Sequence, residues 1–176
     1  DIEKICALHG PVLSENLAHY LDLYNKWSSY TPEKDGVMIA YTSIYGNTKK
    51  AAELLYDKLK AKGVDVIITD LARCDMSKAI SDAFAYGKLV LATPTYNADV
   101  FPFMRTFIEG LTERNYQKRT VAFIENGAWA PMAAKVMAGM FEKSKELNIL
   151  DKTVKITCAL NDASAAQIDE LADELA

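Results

Sequence analysis

The sequence predicts a doubly wound α/β fold: a five-stranded parallel sheet of order 2-1-3-4-5 with helices on both faces. Two observations carry that expectation. From residue 37 onward, short apolar runs alternate with amphipathic stretches, and the joints between them are short. Strands with no polar face belong to a sheet covered on both sides, and strand–helix alternation is how parallel neighbours are connected. Length agrees with this, since 176 residues, 50% of them hydrophobic, can bury one sizeable core.

Strand one is Val37–Tyr41, which opens into Thr42-Ser43-Ile44-Tyr45-Gly46-Asn47-Thr48. A helix over Thr48–Lys62 follows, with Ala51, Leu55 and Leu59 on one face and Gly63 as its stop. Val64–Asp70 is the second strand, and a weaker helix covers Ser77–Tyr86. Leu89–Thr93 is a fully apolar third strand ending at Pro94. Pro102–Arg114 places Met104, Phe107, Ile108 and Leu111 at the spacing of an amphipathic helix. Thr120–Ile124 is strand four, and Pro131–Leu147 is a helix with Val136, Met137, Met140 and Phe141 inward. Val154–Leu160 is strand five, and Ala163–Leu175 closes the chain as a helix. Ahead of this body, residues 1–36 form a separate prefix. Ile2–Leu8 reads as a strand ending at His9-Gly10-Pro11, Ser14 as the cap of a helix, and Ser28–Gly36 as a polar linker. Leu17, Tyr20, Leu21, Tyr24 and Trp27 share one side of that helix.

Composition removes several classes of function. The 20 basic and 24 acidic residues give a net charge of −4 with no long run of either sign, so no nucleic-acid partner is expected. No apolar stretch approaches the roughly 20 residues that span a bilayer, and no signal-peptide pattern is present. Cys6, Cys74 and Cys158 are far apart and form no CxxC pair. They read as reduced, buried thiols of a cytoplasmic protein without a membrane partner.

In a sheet of this order the ligand sits at the carboxyl ends of strands one, three and four. Strand one opens into hydroxyls, an amide and one glycine just before a helix. That pattern suits a phosphate bound by backbone N–H groups at a helix N-terminus, with donors from Ser43, Asn47 and Thr48 and close approach at Gly46. An ordinary N-cap is the alternative, because the same residues are favoured there. Strand three opens into Thr93-Pro94-Thr95-Tyr96-Asn97, and strand four into Glu125-Asn126-Gly127-Ala128-Trp129. Tyr96 and Trp129 offer planar faces for a flat heterocycle.

These three loops resemble the FMN loops of flavodoxins, over residues 37–176. The resemblance implies FMN phosphate binding by Ser43, Tyr45, Gly46, Asn47 and Thr48, with Thr42 beside them. It implies isoalloxazine binding by Thr93, Pro94, Thr95, Tyr96, Asn97, Asn126, Gly127, Ala128 and Trp129. One departure stands out, because Asn97-Ala98-Asp99 replaces the glycine that often faces flavin N5 in that family. The prefix resembles the end of the metallo-β-lactamase-like domain that precedes the flavodoxin domain in flavodiiron proteins. There the histidine of the His-Gly-Pro element ligates a di-iron site, which implies His9 as a metal ligand in an intact parent, unoccupied in this portion. His19 is the only other histidine.

The chain is therefore expected to be the C-terminal portion of a flavodiiron protein. Its FMN would relay electrons from rubredoxin or another low-potential donor to the parent's di-iron domain, including across a homodimer, where oxygen or nitric oxide is reduced. The portion itself would carry no catalytic residue. A stand-alone flavodoxin or a flavin-dependent quinone reductase uses the same loops, and a structural domain without FMN would be colourless. A phosphoacceptor receiver domain is a poor match, since strand one ends in Tyr41-Thr42-Ser43 and strand three in Thr93-Pro94 rather than in acidic residues. Asp99 and Glu125 flank the ring loops, and a carboxylate close to the flavin would lower its potential.

Overall fold

The computed structural model describes residues 2–176; Asp1, the first residue of the prefix 1–36, lies outside the described residues. The prefix holds β1 (Ile5–Cys6), β2 (Val12–Leu13) and α1 (Leu17–Ser28). The body continues with β3 (Lys34–Tyr41), α2 (Asn47–Ala61), β4 (Val66–Asp70), α3 (Met76–Ala85), β5 (Tyr86–Tyr96) and β6 (Asp99–Val100). It ends with α4 (Pro102–Thr112), β7 (Thr120–Asn126), α5 (Ala133–Met140), β8 (Asn148–Ile156) and α6 (Asp162–Leu175).

The parallel sheet runs β4-β3-β5-β7-β8, the 2-1-3-4-5 order expected from the apolar runs. Alternate residues of each strand feed two cores. Met38, Ala40, Leu89, Leu91, Val121 and Phe123 pack under α3, α4 and α5. Val37, Ile39, Val90, Ala92, Ala122 and Ile124 pack under α2 and α6. Both faces are covered, which is why these strands need no polar side.

Five local expectations are corrected. The prefix strand Ile2–Leu8 shrinks to one arm of a two-stranded ribbon, Ile5 opposite Leu13 and Cys6 opposite Val12, because the chain reverses through His9-Gly10 with Gly10 at φ 123°. Ser14 does not cap α1; Asn16 holds that position in the left-handed region at φ 53°, without a side-chain cap bond. The fourth body helix is shorter than Pro131–Leu147, because a tight turn (Ser144 N–H to Phe141 O, 2.8 Å) ends it. The last strand starts at Asn148 instead of Val154, since the register shift opposite Val121–Phe123 loops out the polar residues that broke the apolar pattern. Nor are the thiols buried: Cys6 and Cys158 are exposed and Cys74 is half-buried.

Arg119 joins prefix to body. Its buried guanidinium donates to the carbonyls of Tyr86 (2.9 Å), Phe84 (2.6 Å), Gln117 and Lys118 (3.1 Å each), and to that of Tyr30 in the linker. Burial pushes its pKa down from the usual arginine value. Lys118 Nζ donates to Ser29 O (3.0 Å), and Trp27 Nε1 donates to Glu33 (2.7 Å).

Candidate functional site

Strands β3, β5 and β7 end side by side, so their three loops meet at one edge of the sheet. Between them lies a cleft of ≈ 260 Å³ that brings together Ser43, Tyr45, Asn47, Thr48, Pro94, Thr95, Asn126, Gly127 and Ala128. Each of these was expected from sequence. Ile44 and Cys158 also line it and were missed. Cys158 was read as strand interior; β8 instead stops at Ile156, and a turn with Cys158 at φ 65° swings it to the cleft. Among the described residues no lysine, arginine, aspartate or glutamate lines the cleft.

The phosphate-type loop is built around a helix end left open. Gly46 takes φ 87°, in the left-handed region, with nothing within 4 Å of the place a Cβ would occupy. Among the described residues no side chain caps α2, so its first N–H groups face outward and the helix dipole favours an anion there. Glycine, rather than one of the hydroxyl or amide residues, holds the N-cap position. Ser43 Oγ accepts from Gly46 N–H (3.1 Å) and shapes the loop without capping the helix. By contrast α3 is capped by Asp75, accepting from Ser77 N–H and Lys78 N–H, and α6 by a reciprocal Asn161–Ser164 pair, whereas α1 and α4 share with α2 the lack of a side-chain cap bond.

Buried polar side chains lock the three loops together. Thr42 and Thr93 are fully buried and share a hydroxyl hydrogen bond of 2.7 Å across the β3 and β5 ends, so both stand behind the cleft rather than in its lining. Asn126 Nδ2 donates to Cys158 O (3.1 Å) and reaches Thr48 Oγ1 (3.4 Å), linking β7 to the β8 turn and to α2. Thr95 Oγ1 accepts from Met132 N–H (3.0 Å) and Ala133 N–H (3.2 Å), so the second loop caps the helix that follows the third. A Cβ at Gly127 would sit 3.3 Å from that same Oγ1 and 3.1 Å from Pro131 Cα, which is why this turn carries glycine. Glu125 is buried and accepts from Ala134 N–H at 3.0 Å, with Lys155 Nζ 4.0 Å away.

The two aromatic residues lie outside the cleft lining. Tyr96 is 43% exposed and meets Phe101 edge-on at 5.4 Å, whereas Trp129 is 96% exposed. Asn97 (φ 51°) and Ala98 (φ 58°) form a two-residue turn between β5 and β6, with Tyr96 opposite Asp99. Two consecutive left-handed residues make this a hairpin turn in which glycine is the usual choice, and here alanine occupies it. Asp99 is held by Arg105, whose Nη2 donates to both carboxylate oxygens at 2.5 Å. That guanidinium keeps the Asp99 carboxyl below the usual carboxylate range. Neither flanking carboxylate is thus a bare charge at the cleft. His9 is exposed in the β1–β2 turn, and among the described residues no group of three His, Cys, Asp or Glu gathers to hold a metal.

Comparison with known proteins agrees with this architecture. The family model described as Flavodoxin matches residues 39–166. An uncharacterised protein of Methanocaldococcus jannaschii is 30% identical over 100% of this chain and 45% of its own length. A nitric oxide reductase of Moorella thermoacetica is 26% identical over 82% of this chain and 36% of its own. The chain thus spans less than half the length of these curated relatives. Among solved structures, the rubredoxin oxygen:oxidoreductase of Desulfovibrio gigas superposes with a TM-score of 0.89 at 20% identity, covering 98% of this chain and 43% of that one. At that identity the likeness is one of fold, and it takes in the prefix as well as the body.

Proposed function

The chain belongs to the flavodoxin family, and from that premise we propose that it is an FMN-binding electron-relay domain of a flavodiiron-type protein. One observation carries the FMN reading: the uncapped N-terminus of α2, ringed by Ser43, Asn47 and Thr48, opens into a cleft without a charged side chain. A phosphate monoester fits that donor set, because backbone N–H groups and a helix dipole hold an anion without a cation. Pro94, Thr95, Asn126, Gly127 and Ala128, also in the lining, would then face the ring. Tyr96 and Trp129, exposed on the second and third loops outside that lining, would cover a flat ring system.

When bound, the flavin supplies a centre that takes two electrons from one donor and releases them singly. The chain's own part is to fix the phosphate end, to orient the ring through loops tied by Thr95 and Asn126, and to set local charge. The di-iron reading rests on the prefix, which a free-standing carrier or quinone reductase does not need, and on relatives more than twice this length. In the longer parent His9 would supply one metal ligand, with rubredoxin or another low-potential protein as electron donor. The test begins with the purified chain and added FMN. A yellow complex of one flavin per chain, bleached by dithionite and by reduced rubredoxin, is expected; a colourless protein overturns the proposal.

A further inference from the structure

The β5–β6 hairpin is an uneasy piece of backbone beside the proposed flavin site. Two consecutive non-glycine residues, Asn97 and Ala98, sit at positive φ. Alanine pays a steric penalty there, so the turn persists only if its surroundings over-determine it. Only two residue pairs, Thr95–Val100 and Tyr96–Asp99, form the ribbon. What braces it is Asp99. Its carboxylate accepts from Val100 N–H at 2.6 Å and from Arg105 through both oxygens.

Arg105 is oddly placed for the sake of its own helix. It lies in the first turn of α4, where the dipole disfavours a cation. Its one helical partner is Glu109, 3.7 Å away. Its Nη2 alone bridges both Asp99 oxygens while Nη1 faces Glu109, so one planar guanidinium serves two carboxylates from two elements at once.

Building on the FMN reading above, we propose that Arg105 is a positioning residue with two effects: it holds the Asn97–Ala98 turn in place beside the flavin, and it cancels the charge of Asp99 that would otherwise lower the flavin's potential. The two effects separate. Lysine at 105 keeps the charge but cannot reach Asp99 and Glu109 with one rigid plane; glutamine loses the charge as well. Removing either partner alone leaves the other uncompensated, so the two single changes act on the flavin with opposite sign.

The experiment compares the wild type with R105K, R105Q, D99N and the R105Q/D99N double variant, each as the full chain. Amide hydrogen exchange across residues 96–100 is read without flavin, and the two-electron midpoint potential with FMN. Expected are faster exchange in R105K, R105Q and D99N, a lowered potential in R105Q, a raised one in D99N, and values near wild type in R105K and the double variant. Unchanged exchange in R105Q overturns the positioning role. Potentials that move in the same direction in both single variants, or in neither, overturn the charge-cancelling role. A chain that takes up no FMN in any form contradicts the proposed function and the charge-cancelling role with it, while exchange still decides the positioning role.

Discussion

The prefix and the body use the same apolar residue types to opposite ends. In the body, α2 buries Ala51, Ala52, Leu55 and Leu59 against the sheet. In the prefix, α1 has a comparable apolar side, yet no residue of it is buried, and Tyr24 and Trp27 stand more than half exposed. The body buries its own core on both faces of the sheet, with a cleft at one edge. The prefix lies on the surface of the body, joined through Arg119, Lys118 and the Glu33 N–H to Ala85 O hydrogen bond. Hydrophobic periodicity identifies a helix and its apolar side but not whether anything covers that side.

Substitutions should separate the two regions sharply. Leu55→Ala opens a cavity under α2 and is expected to cost about 3 kcal/mol in urea unfolding. Tyr24→Ser on α1 should stay within about 0.5 kcal/mol, as for an exposed residue without a special role. A loss as large as that of Leu55→Ala would show that α1 is a structural part of the core. The joint should fall between them. Arg119→Met strands the carbonyls of Phe84, Tyr86 and Tyr30 and is expected to cost about 2 kcal/mol by the same measurement.

Smaller effects probe the cleft side of the contrast. Gly46→Ala places a Cβ at φ 87° without a clash, so the penalty is conformational, about 1 kcal/mol, with weaker FMN affinity as the helix end shifts. The smallest effect concerns acid. Asp99 has a depressed folded-state pKa because of Arg105, so its contribution is present above the unfolded carboxyl value of about 3.9 and fades as pH falls through the lower folded value. The protection factor at residues 96–100, taken against the intrinsic exchange rate at the same pH, should therefore stay constant down to about pH 4 and fall only below it. A fall already at pH 6 would mean that Asp99 is not the brace.

Much of this was legible in the sequence, and what was not has local causes. The strand order followed from uninterrupted apolar runs, and the cleft residues from where those runs stop. The start of β8 was hidden because the register shift loops out Asp151 and Lys152 in mid-strand. Cys158 was hidden for a different reason: β8 stops at Ile156, and the apolar pattern does not show that Cys158 turns away at φ 65°. The Asp99–Arg105 grip was invisible because a six-residue separation through a hairpin and into a new helix matches no periodic pattern. The missing cap on α2 was invisible too: Ser43, Asn47 and Thr48 are good capping residues, and only the geometry shows Ser43 turned to Gly46.

That open helix end is the core of the account, and its most direct test is the affinity of the chain for FMN against riboflavin, which differ only in the phosphate. Two or more charge-assisted hydrogen bonds from the α2 N-terminus would make FMN tighter by about a hundredfold or more in a fluorescence-quenching titration. Affinities within about threefold of one another would mean that the phosphate gains little from this helix end, and would contradict the reading of the loop as a phosphate cradle.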